Sequence, residues 1–190
     1  FVVSPPDGDR LVYRETGFAG DDVVRQIVSG ASAHLNDGGW CQLLAAWIHE
    51  DEQPWQERLA SWIDPTGLDA WVVQRERVDL AEYAEMWLAD SGRWHENDHF
   101  ERYDRWLSWF AESKIEAMGF GWITLRKAVR DVPQVRIEEW TAPVSQPVST
   151  DFAAWANRTD SLAAGNLLEV YWRVGDDVVQ ETAGPVGAED

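Results

Sequence analysis

His95-Glu96-Asn97-Asp98-His99 is the stretch whose residue types and spacing most directly name a chemistry. Two histidines four apart share a helical face and can grip zinc, with the glutamate polarising a metal-bound water. The surroundings argue otherwise. Gly92 lies just upstream, Asn97-Asp98 read as a cap for the helical run from Phe100, and no apolar stripe crosses the motif. A third ligand would have to come from Glu112 or Glu116. No metal is the primary expectation, and a zinc-dependent hydrolase through His95, Glu96 and His99 stands as an alternative. Of the other histidines, His34 falls on an amphipathic helix. His49 falls at the carboxyl end of a strand, where it could rim a pocket. The acidic runs Glu50-Asp51-Glu52 and Asp176-Asp177 read as solvated turns, because neither has the alternating oxygen spacing and central Gly of a calcium loop. Cys41 is the one cysteine and lies in an apolar run, so it reads as a buried thiol with no internal disulfide framework.

The elements that must position these groups follow from hydrophobic period and turn residues. Residues 1–20 read as a loop. Val23, Val24, Ile27, Val28, Ala31 and Leu35 make one helical stripe over 21–35, with acidic residues at its positive end. Gly38-Gly39 reads as helix termination and a tight turn. Strand 40–48 is apolar on both faces, the pattern of an interior strand in a parallel sheet. Pro54 opens a second helix with Trp55, Leu59, Trp62 and Ile63 inward, and strand 69–78 follows.

A helical pair then spans 79–119. Its stripes are Leu80, Tyr83, Ala84, Trp87 and Leu88, then Phe100, Tyr103, Trp106, Leu107, Phe110 and Met118, with Gly119 and Gly121 as the stop. Strands 122–130 and 134–141 alternate polar and apolar, as an antiparallel pair at a sheet edge does. A Pro/Ser/Val linker over 142–150 leads to a small α+β piece over 151–190, with a short helix, a strand at 167–174 and a hairpin signal.

The net charge of −18, from 34 acidic and 16 basic residues, opposes direct binding of a phosphate backbone by this region. Thirteen Trp fall mostly at core spacing and read as packing. No apolar run approaches the roughly 20 residues of a membrane span, and no signal segment opens the chain, so no membrane partner and a cytoplasmic location are expected.

The order loop, helix, Gly-Gly, strand, helix, strand, helical insertion and terminal strand pair resembles the C-terminal half of class I S-adenosylmethionine-dependent methyltransferases. More narrowly, Phe1 and the loop after it are similar to the branch whose fourth strand ends in Asn-Pro-Pro-Phe/Tyr, with the Asn and both prolines falling upstream. That branch includes release-factor glutamine and ribosomal-RNA amine methyltransferases. The run Asp7-Gly8-Asp9-Arg10-Leu11-Val12-Tyr13-Arg14-Glu15, with Gly20-Asp21-Asp22, suggests a two-part actinobacterial-type member. The resemblance spans residues 1–141.

The resemblance implies an α/β, Rossmann-like methyltransferase sheet, of which this chain holds the C-terminal half. It also implies methyl transfer from S-adenosylmethionine to a nitrogen of a protein Gln or a nucleic-acid base, with a release-factor-like protein or RNA as partner. Methyl transfer from a sulfonium is an in-line displacement, so positioning dominates. Phe1 would be the catalytic aromatic, stacking on the planar acceptor. Tyr13, Arg14 and His49 would touch substrate. Arg14 could fork onto a carboxylate or phosphate, or pair with Glu15 or Asp9 at the surface. Cofactor contacts fall outside this sequence, and the isolated piece is expected to be inactive. A non-catalytic binding module is the remaining alternative.

Overall fold

The computed structural model describes residue 3 and residues 18–90, 98–144 and 146–165, and then 169, 171, 173–175 and 178–179. The chain divides into two compact units, Phe1–Pro143 and Val144–Asp190.

The first unit is α/β. It carries a four-stranded mixed sheet built from β1 (Trp40–Glu50), β2 (Asp69–Val78), β3 (Ile115–Arg126) and β4 (Val135–Glu139), in the order β1-β3-β2-β4. β3 pairs antiparallel with both β1 and β2, while β4 runs parallel to β2. β1, β2 and β4 therefore all run the same way, and β3 is the one reversed strand between two of them.

Helices α1 (Asp22–His34) and α2 (Trp55–Ile63) cover one face. Their Val24, Val28, Leu59, Trp62 and Ile63 pack with Ala45, Trp47, Val72, Ile123 and Leu125. Helices α3 (Leu80–Asp90) and α4 (His99–Glu112) cover part of the other face. There Tyr83, Ala84, Leu88, Trp106 and Phe110 pack with Ala46, Ile48 and Met118. Odd and even residues of β1 and β3 thus feed two different cores, as the two-residue period of a strand requires. α2 bridges β1 to β2, and a 3-10 turn at Asp64–Thr66 closes on Gly67, whose φ is +67°.

Three sequence expectations give way. The apolar run 40–48 is an edge strand with an antiparallel neighbour, not an interior parallel one. Its amino-terminal half stays open, with Leu44 at 79% exposure. Strands expected at 122–130 and 134–141 are not each other's partners. β4 pairs with β2, because the turn at 127–134 carries the chain past β3 to the far side of β2. Finally, the helix predicted to run to Met118 ends at Glu112, and Lys114, with φ +53°, makes the turn into β3. Gly119 and Gly121, read as helix stops, lie inside that strand.

The second unit contains α5 (Ser149–Ala164), in which Trp155, Ala156 and Thr159 are buried. It is longer than the short helix expected. Much of the strand expected at 167–174 lies outside the described residues, and those described there carry no strand.

Candidate functional site

The carboxyl ends of β1 and β2 bring together three of the buried polar residues of the first unit, Asp21, His49 and Gln74. Gln74 stands at the centre on the α2 side. Its Oε1 accepts from Trp47 Nε1 at 3.1 Å and lies 2.7 Å from His49 Nε2, while its Nε2 donates to Glu139 Oε1 at 3.2 Å. An amide oxygen offers only lone pairs, so Nε2 is the protonated nitrogen of His49 and Nδ1 is left as an acceptor. The imidazole lies 5.9 Å from the Trp55 ring at 20°, and Trp55 in turn stacks on Trp47. Burial pushes His49 below the ordinary histidine range, with Arg77 and Arg58 adding to it; the Gln74 bond and Glu139 pull the other way.

Glycine is what admits this cluster. A Cβ on Gly119 would stand 2.4 Å from both Gln74 Oε1 and Trp47 Nε1, and 2.8 Å from His49 Nε2. At Gly121 it would reach the Val73 carbonyl oxygen and the Trp47 ring. The two glycines of β3 open the groove in which the Trp47 indole and the Gln74 amide lie.

Beside this cluster, Asp21 is buried at the start of α1. Its carboxylate accepts the Ile48 backbone N–H at 2.8 Å and both Arg58 terminal nitrogens at 2.6 and 2.8 Å. Arg58 Nε reaches Glu50 at 3.0 Å. Burial opposes the charge on Arg58, but the Asp21 and Glu50 contacts outweigh it and raise its pKa. This ion pair fixes the start of α1 against the carboxyl end of β1.

On the opposite face Val3 is buried. Its N–H donates to Tyr83 Oη at 2.8 Å, and the same hydroxyl donates to Val3 O at 3.1 Å. Val3 belongs to the cluster of Ile48, Ile115 and Met118, with Val78 packed against it. Val3 therefore touches the same end of the sheet as His49, from the other side.

Of the residues singled out from sequence, the structure brings His49 to this end of the sheet, facing α2 and 8% exposed. Phe1, Tyr13 and Arg14 lie outside the described residues, as do His95 and Glu96. His99 is the first residue of α4, following the Asp98 cap, whose carboxylate pairs with Arg102 at 2.8 Å. Among the described residues, no three His, Cys, Asp or Glu side chains come together as a metal would require. Sequence reading gave no site role to Asp21, Arg58, Gln74 or Tyr83, although Asp21 stood at a helix start and Tyr83 in a helical stripe. Gln74 left a signal as the polar residue that ends the apolar run of β2.

The chain matches no known family model and no curated protein. No helix among the described residues is long and apolar enough to cross a membrane.

Proposed function

We propose that this chain is the acceptor-side part of an S-adenosylmethionine-dependent N-methyltransferase, acting in the cytoplasm on a protein glutamine or a nucleic-acid base amine. One observation carries the reading. Val3, two positions after Phe1, is buried with Ile48 and Val78, near the carboxyl ends of two strands that run the same way. Ligands of open α/β sheets bind outside the carboxyl ends of such strands. The resemblance implies a terminal antiparallel pair; here β3 is reversed between β1 and β2 instead, and β4 runs parallel to β2.

In this reading S-adenosylmethionine supplies the methyl group. No described residue forms a glycine-rich cradle for its nucleoside, so donor contacts are not assigned to this chain. What these residues do is positional. Tyr83 holds the Val3 backbone by both its N–H and its carbonyl, which anchors the chain two positions after Phe1 at the strand tips. Asp21 and Arg58 lock the start of α1 onto β1. The acidity of the chain favours a protein acceptor over a nucleic acid.

The test uses the protein with its natural residues upstream of Phe1. Calorimetry with S-adenosylmethionine should show stoichiometric binding, and mass spectrometry should show a methyl group added to a glutamine-bearing protein or an RNA. Phe1→Ala should cut methyl transfer by about 100-fold while donor binding persists, as loss of acceptor positioning does. Absence of donor binding would end the reading.

A further inference from the structure

The α3 side of the sheet holds a cavity of about 390 Å³, which neither the polar cluster around Gln74 nor the Val3 contact uses. Its walls are Trp87 of α3, Phe120 and Trp122 of β3, and Leu44 of β1, with Arg75 and Glu76 of β2 beside them. The aromatic walls are held in place. Trp122 meets Trp140 edge-on at 5.8 Å, and Tyr83 lies 5.7 Å from Phe120 and 6.1 Å from Trp87. The same Tyr83 binds Val3, so one side chain lies between this cavity and the carboxyl ends of β1 and β2.

The charges beside the walls are set by a β-bulge. Gln74 pairs with Gly121 and Glu76 with Phe120, leaving Arg75 as the extra residue. Regular alternation would put Glu76 on the α2 side with Gln74. The bulge turns it to the opposite face, alongside Phe120 and the cavity. Arg75 Nη1 donates to the carbonyl oxygens of Trp140 and Ala142 at 2.6 and 2.9 Å, which draws its charge towards the end of β4. Aromatic faces next to a re-aimed, exposed carboxylate suit a flat cation, in a chain whose net charge is −18.

We infer that this cavity is a docking site for an arginine side chain of a partner protein, its guanidinium stacked on the Trp87 and Trp122 indoles and paired with Glu76. Arginine fits better than lysine, because its planar head stacks on aromatic rings, is weakly hydrated and meets a carboxylate with two parallel bonds. The inference deepens the proposed function by naming how a protein acceptor is held, and it rests on that reading only for the partner's role as substrate. Binding is measured without methyl donor, so failure here leaves methyl transfer to be judged separately.

The test titrates the full chain with the blocked peptide Gly-Gly-Arg-Gly-Gly and with its citrulline and glutamate counterparts, following the indole N–H resonances of Trp87 and Trp122. The arginine peptide should move both signals and bind about fivefold more tightly than the citrulline peptide, a margin that salt reduces. Glu76→Gln should erase that margin while leaving citrulline binding unchanged. Leu44→Lys, at a position that is 79% exposed, should weaken arginine binding similarly without disturbing the fold. Equal binding of arginine and citrulline peptides, preference for the glutamate peptide, no binding at all, or capture of a single-stranded oligonucleotide at these indoles would each overturn the inference.

Discussion

Gly119→Ala places one methyl group where the packing around Gln74 leaves no room. The new carbon would lie 2.4 Å from Gln74 Oε1 and Trp47 Nε1, against about 3.4 Å for ordinary contact, so both must retreat by about 1 Å. Neither can do so cheaply. Trp47 is fully buried and stacked on Trp55, and Gln74 is held by Trp47, His49 and Glu139. Overpacking of this kind costs about 1–3 kcal/mol. Separating Trp47 Nε1 from its acceptor adds about 1 kcal/mol, more if the indole N–H stays buried and unpaired. The expected loss is therefore about 2–4 kcal/mol. Urea denaturation should show a lower midpoint at unchanged slope. Gly30→Ala is the control: it lies within α1, and a Cβ there would meet no atom within 4 Å, so it should stabilise by about 0.5–1 kcal/mol. A Gly119→Ala midpoint equal to that of the parent would refute the idea that this glycine exists to admit the cluster.

Removing one partner of the buried ion pair should be costly. Arg58→Met leaves the Asp21 carboxylate buried with the Ile48 N–H as its one donor among the described residues and should lose about 3 kcal/mol, whereas the double variant with Asp21→Asn should lose less than the sum of the two single changes. Additive losses in a double-mutant cycle would argue against the coupling. Tyr83→Phe removes both hydrogen bonds to Val3, so the Val3 amide should exchange faster with deuterium and stability should fall by about 1–3 kcal/mol. Unchanged exchange at Val3 would show that the hydroxyl does not hold this segment. His49 makes stability depend on pH. Its folded pKa lies below the unfolded value of about 6.5, so its contribution is fully present above that pH. As pH falls below about 6.5 the unfolded chain takes up the proton first, and stability declines until the folded histidine also titrates. The drop in denaturation midpoint between pH 7.5 and 5.0 should shrink in His49→Gln, and an identical drop would place the effect elsewhere.

Local signals carried a good part of this chain. The stripe of Val24, Val28 and Ala31 and the Pro54 start marked α1 and α2, and β2 falls where its apolar run predicted. Such elements are legible because hydrophobic period is a property of neighbouring residues, and nearest neighbours are all a single sequence supplies. Glycine misled for the same reason. Gly119 and Gly121 carry one residue type whether they stop a helix or make space in a strand, and only the arrival of Trp47 and Gln74 from other strands separates the two.

The sequence by itself determined α1, β1, α2, β2 and β4 to within a few residues, the chain's acidity, and the presence of His49 at a strand end. Tertiary structure alone decided that β3 enters between β1 and β2, that Asp21 meets Arg58 across 37 positions, and that Gln74 rather than any motif gathers the buried polar groups. It alone turned Glu76 to the cavity face, through a bulge that depends on the pairing of β2 with β3. The physical reason is range: strand order, buried ion pairs and bulges arise from contacts between segments far apart in the chain, and the free energy that selects them comes from packing that no local window contains.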